Sequence, residues 1–114
     1  MTVTDRASLI SESELQSAVG ELAQTLGYLV YHPRPALSRS GNWTTAVQFN
    51  GAGFPDLVIV GHGRILFREL KSARGRASRA QRVWMVALRA AGGDVDIWTS
   101  ADWVSGKIEE ELRT

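Results

Sequence analysis

The 114-residue chain reads as an α/β domain with a mixed central β-sheet flanked by helices, in the order α-β-β-β-α-β-α. Three observations predict this class. A segment with helical apolar spacing opens the chain. Two apolar, β-branched runs then follow each other across a short Gly-containing turn, the pattern of a hairpin. A second amphipathic helix separates that hairpin from one more apolar strand, and such a β-α-β step is a right-handed parallel crossover. The length suits one hydrophobic core, so residues 1–114 are taken as a single domain.

The elements follow in order. In SESELQSAVGELAQTLGY, Leu15, Val19, Leu22 and Leu26 recur at helical spacing and Gly27 ends the run. Ser11 is placed as the N-cap, with Glu14 three positions on as in a capping box. YLVYH (28–32) is a short strand closed by Pro33-Arg34-Pro35. Residues 33–53 are rich in Gly, Pro, Ser, Thr and Asn and read as a long loop, a length that more often serves function than idles. DLVIV (56–60) and RILFRELK (64–71) form the hairpin. A basic loop follows, and Ser78 caps a helix over about 79–91 with Val83, Trp84, Ala87, Leu88 and Ala91 inward. DVDIWTS (94–100) is the last strand, and ADWVSGKIEEELR a final helix with an acidic end. There is no internal repeat and no low-complexity tract.

Composition excludes several classes. With no cysteine there is no disulfide and no Cys-based zinc site. No apolar run approaches the ~18 residues of a membrane span, so no membrane partner is expected. The N-terminus lacks the basic-then-apolar pattern of a secretory signal, and a cytoplasmic location is expected, in a bacterial or phage-infected cell. Net charge is only +1, but its distribution is uneven. Residues 34–89 carry ten basic and two acidic residues, while both flanks are net negative. A basic middle of this kind points to a polyanion partner.

The two acids inside that basic block are Asp56 and Glu69. Side chains alternate along a strand, so Glu69 and Lys71 share a face with Ile65 and Phe67. Counting outward from the turn at 61–63, Asp56 comes beside Glu69. Two carboxylates and an ammonium therefore gather at one end of an otherwise apolar hairpin. One account is a Glu–Lys ion pair with a neighbouring Asp capping a turn, worth little if exposed. The other is a cation site, because two like charges in an apolar setting need a cation between them. Mg²⁺ suits one or two carboxylates plus water and substrate phosphate. Lys71 would then steady the attacking water or the developing oxyanion.

Pro55-Asp56 followed by Glu69-Leu70-Lys71 resembles the core of the PD-(D/E)XK nuclease superfamily. More narrowly, GFPDLVIV, ILFRELKSARGRASRAQRVW and VDIWTSADW resemble the VRR-NUC (virus-type replication-repair nuclease) domain of phage and bacterial stand-alone proteins. The resemblance covers nearly the whole chain. It departs at Thr99-Ser100-Ala101-Asp102, where relatives often carry a proline. It implies a restriction-endonuclease-like core and an endonuclease that hydrolyses DNA phosphodiesters with Mg²⁺ or Mn²⁺. By it, Asp56, Glu69 and the Leu70 carbonyl are metal ligands, and Lys71 assists the nucleophile.

The superfamily adds an acid from the first helix, and Glu12 and Glu14 compete for it. Glu12 extends the inward stripe whereas Glu14 has a capping role, so Glu12 is favoured. Glu21 points away from the stripe. Gln81 approaches the active site in relatives and joins the catalytic set, beside its plainer reading as a helix-surface residue. Arg74, Arg76, Arg79 and Arg82 follow Lys71 with no acid between, and arginine holds phosphate bidentately, so they are expected to contact the DNA backbone. Arg39 and Trp43 on the long loop are candidate clamps or stacking groups. His32 and His62 lie too far apart in sequence to read as a ligand pair.

The expected substrate is branched or junction DNA, such as a Holliday junction or another repair intermediate. A homodimer is expected, since a four-way junction needs two symmetric cuts. Four tryptophans exceed what so small a core needs, and Trp103 is a candidate interface contact. The alternatives are a non-catalytic DNA-binding module on the same fold and a sequence-specific restriction-type endonuclease.

Overall fold

A computed structural model of the chain describes residues 1–33, 36–37, 43–44 and 49–114. Two helices come first, α1 (Val3–Ala7) and α2 (Glu12–Thr25). Strand β1 (Leu29–Tyr31) follows, then a small antiparallel pair, β2 (Ala36–Leu37) with β3 (Trp43–Thr44), inside the segment expected to be all loop. Next come β4 (Leu57–Gly61), β5 (Arg64–Lys71), α3 (Arg79–Ala90) and β6 (Asp94–Thr99). The single final helix expected from sequence is two, α4 (Ser100–Val104) and α5 (Lys107–Arg113). The break falls at Gly106, whose φ of 86° no regular helix can hold. The unpredicted α1 starts on a Thr2–Asp5 capping box.

The main sheet has the order β1-β4-β5-β6. β1 and β5 run antiparallel to β4, and β6 runs parallel to β5, as the crossover requires. The β4–β5 turn is two residues long, with φ positive at both His62 and Gly63, the twist that suits a hairpin. His62 tolerates it because its ring is held: Nε2 donates to the Leu26 carbonyl at 2.7 Å, and the ring meets Tyr28 edge-on.

Strand alternation gives the sheet two unlike faces. On one, Leu57, Ile59, Leu66, Leu70 and Trp98 pack against Leu15, Val19 and Ala23 of α2 and Ile108 and Leu112 of α5. Leu22 and Leu26 lie at the margin of that core, and Trp103 also packs against it. Arg68 is buried on this face, with its guanidinium 4.9 Å above the Trp98 ring and Nη2 paired with Asp94 Oδ1 at 2.9 Å. Arg64 donates to the Tyr28 hydroxyl and the Glu111 carbonyl. Both arginines of the basic block therefore serve the fold.

The other face is covered unevenly. Helix α3 lies beside β6, where Met85 and Val95 are buried. Its orientation differs from the expected one: Val83, Ala87 and Ala91 are exposed, while Gln81, Trp84 and Leu88 are partly covered. The helix is apolar or alanine on several sides, so its pattern did not fix the phase. Toward β1, Leu29, Tyr31, Val60 and Ile65 are exposed on this same face.

Candidate active site

The β4–β5 ladder ends at the Leu57–Arg68 pair, and the strands part just beyond it. Asp56 takes over where the ladder stops. Its Oδ2 accepts from the Leu70 N–H at 2.8 Å, and its own N–H donates to Glu69 Oε1 at 3.2 Å. The hairpin register thus draws the two carboxylates together, as strand counting expects. Lys71 lies one pleat further along the same face, with Nζ 3.3 Å from Glu69 Oε2.

All three residues leave bulk water to differing degrees. Glu69 is only 1% exposed and Lys71 is buried, while Asp56 is half-buried. Burial first, and then the Asp56 carboxylate, push the Glu69 carboxyl up to about 7 against the opposing pull of Lys71. Glu69 Oε2 makes no aligned hydrogen bond despite the nearby ammonium. An exposed Glu–Lys pair with no other role would not carry these features. A buried carboxylate whose Oε2 is met only by the Lys71 ammonium, beside a second carboxylate, fits a hard divalent cation with an oxygen shell. Among the described residues no third His, Asp or Glu side chain completes a metal cluster, so the remaining positions would fall to water, backbone or substrate oxygens.

This environment has a sign that can be checked. A carboxyl raised in the folded state contributes stability that is present below its unfolded value of 4.5 and lost as pH rises through about 7. In EDTA, the Tm of the wild-type chain relative to Glu69→Gln is expected to fall between pH 5 and pH 8. Mn²⁺ is expected to restore it at pH 8 and to do little at pH 5. A pH-independent difference would mean that the carboxylate is not strained.

Two further parts frame the cluster. Gly53, in the turn before Pro55-Asp56, has φ of 89° and lies against the first turn of α3, where a Cβ would sit 2.5 Å from the Ala80 carbonyl carbon. Gly75 closes the loop over the Lys71 stem, with room for no comfortable Cβ: one would meet Lys71 Cδ at 3.2 Å. The loop and α3 start then present Arg74, Arg76, Arg79 and Arg82 to solvent.

Other expected residues are placed differently. Glu12 is exposed at the start of α2. Its helix packs on the Leu66/Leu70 face, opposite Glu69, and among the described residues no hydrogen bond or ion pair joins it to Asp56 or Glu69. The inward placement expected for it is therefore not found. Glu14 caps Ser11. Gln81 is also a capping residue: its Oε1 accepts from the Ser78 N–H at 2.8 Å. Arg39 and the Trp43 side chain lie outside the described residues. Sequence reasoning missed His32, whose Nδ1 donates to the Asp56 carbonyl at 2.7 Å and so anchors the backbone beneath the acid. No spacing rule predicts a bond to a carbonyl.

No family model matches the chain, and no curated protein does. Among solved structures it is similar to a chain described as a VRR_NUC domain, with TM-score 0.62 and 26% identity over 88% of this chain and 96% of that one. With that likeness spanning nearly the whole of both chains, the fold of this chain is that of a VRR-NUC domain.

Proposed function

We propose that the chain is a Mg²⁺- or Mn²⁺-dependent endonuclease that hydrolyses DNA phosphodiesters, preferring branched DNA. One observation carries the reading: two adjoining carboxylates, one of them buried and paired with a buried lysine, stand at the foot of an arginine-rich loop. A DNA-binding module would gain nothing from acids held there, since they repel phosphate.

Asp56 and Glu69 would hold the cation. The chemistry supplied by a bound Mg²⁺ or Mn²⁺ is that of a Lewis acid, neutralising phosphate charge and making water more nucleophilic. Lys71, held by the Glu69 carboxylate and enclosed by Gly75, brings its ammonium to the reacting phosphate, where charge builds on the oxygens. The exposed Arg74, Arg76, Arg79 and Arg82 grip the flanking backbone and contribute position rather than sequence.

The preference for branched DNA and the homodimer rest on the same logic of paired cuts. The exposed Leu29, Tyr31, Val60 and Ile65 face supports pairing. Trp103 does not, because it packs on its own core. The test is a panel of labelled junction, flap, duplex and single-stranded DNA with Mg²⁺ or Mn²⁺, alongside light scattering. Cleavage in EDTA would overturn the metal reading. A monomer making unpaired nicks would remove the junction reading and leave the nuclease.

Within that scheme the basic residues divide by role. Lys71→Ala is expected to lower turnover by about 10²-fold or more with little change in DNA affinity, the scale seen when one charge-stabilising group is lost. Arg76→Ala and Arg79→Ala are expected to weaken binding and flatten its salt dependence, with turnover at saturation kept. Lys71→Ala acting on the dissociation constant alone would contradict the assigned role.

A further inference from the structure

Phe49 breaks two rules of a stable fold at once. Its side chain is fully exposed, and its φ of 58° is in the left-handed region, which is costly for a bulky residue. Neither feature helps folding, and such outliers gather at functional sites. The residue is nonetheless well anchored on its C-terminal side. The Asn50 carbonyl accepts from Trp84 Nε1 at 2.6 Å, and Trp84 in turn meets Phe54 edge-on.

The ring stands at the mouth of an open groove of about 500 Å³. Ala52, Ala80, Val83 and Trp84 give it an apolar floor, and Arg79 lies along its rim. Val83 is largely exposed there, so among the described residues the groove is apolar and edged by a cation. Gly53 joins it directly to Pro55-Asp56, and Arg74, Arg76 and Arg82 continue the positive charge beside it with no intervening acid.

We infer that this groove receives a nucleobase displaced from its stack, with Phe49 as the stacking platform and Arg79 on the attached phosphate. The inference rests on the nuclease reading and deepens it, by assigning the enzyme a substrate that bears an unpaired base near the cut. Flat aromatic groups hold bases of any identity through their π-faces, and arginine supplies the matching positive charge. An acidic or purely aliphatic peptide would use one half of this surface and leave the other unmatched.

The test uses the full-length chain in EDTA, so that no DNA is cut. Two oligonucleotide duplexes carry 2-aminopurine at one position, unpaired in a one-base bulge in the first and paired with thymine in the second. Phe49→Ala is expected to lose about 10-fold in affinity for the bulged DNA and less than twofold for the paired DNA. At saturation its bulge complex should fluoresce more strongly than the wild-type complex, because the base has lost its stacking partner. Phe49→Trp should behave as wild type. Because Phe49 is fully exposed, these variants keep the fold. Equal losses on both DNAs, or no loss on either, would overturn the inference while salt-dependent binding by the wild type leaves the nuclease reading intact. A change of oligomeric state in Phe49→Ala without a DNA effect would reassign the groove to protein contact and also overturn it. Failure of the wild type to bind either DNA would overturn both.

Discussion

Asp56→Asn and Glu69→Gln are each expected to abolish DNA cleavage, with binding as tight as in the wild type or tighter. This is the largest functional effect expected from the site. Each change keeps the shape of the side chain and removes one negative charge. The Asp56 amide can still meet the Leu70 N–H through its oxygen, so the strand ends remain tied. Glu69→Gln relieves a buried carboxyl that sits against Asp56, so stability near neutral pH should hold or rise. What is lost is the charge proposed to hold a divalent cation, and on the order of 10³-fold or more in rate is expected to go with it. Less negative charge beside phosphate accounts for the tighter binding. Gel-based cleavage with Mn²⁺ titration, paired with fluorescence anisotropy in EDTA, separates the two effects. Appreciable cleavage by either variant would remove that carboxylate from the site.

Gly53→Ala is expected to have the largest effect on stability. The added methyl would lie 2.5 Å from the Ala80 carbonyl carbon and 2.6 Å from its oxygen, which are backbone atoms and cannot rotate away. A positive φ adds to the strain, at roughly 1 kcal/mol for a non-glycine residue. Together with overpacking, the expected loss is on the order of 3 kcal/mol, enough to lower Tm by more than about 10 °C in a domain of this size. Thermal melts by circular dichroism measure it. The relief open to the chain is to move α3 away from the Pro55-Asp56 turn, so surviving protein should bind DNA poorly through Arg79 as well. A Tm within two or three degrees of wild type would show that this contact is not tight in solution.

The convergence of Asp56, Glu69 and Lys71 was legible because two hard rules govern it. Side chains alternate along a strand, and a two-residue turn fixes register, so counting from the turn places each one. The parallel β6 followed from crossover topology in the same way. The helices were less legible. In α3 the apolar residues Val83, Trp84, Met85, Val86 and Leu88 occupy several sides, and only contact with β6 decides that Met85 turns inward. Glu12 was read by extending a stripe past its last buried member, Leu15, to the first helical position, where the chain is already in solvent. The role of Gln81 had a signal that was passed over, since Ser78-x-x-Gln81 is itself a capping-box pattern.

That pattern recurs in the structure with one chemical difference. Helices α1, α2 and α4 begin on boxes closed by Asp5, Glu14 and Asp102, whereas α3 begins on one closed by the neutral amide of Gln81. The Asp5 and Glu14 carboxyls are held below their usual range by bonds to Thr2 and Ser11. Stability from such depressed groups is present above their unfolded values and lost as pH falls through the folded ones. Acidification therefore loosens the starts of α1 and α2, which belong to the scaffold. The start of α3, which carries Arg79 and abuts Gly53, has no proton to gain at its cap, so acid leaves the capping bond at the arginine-bearing edge of the site in place.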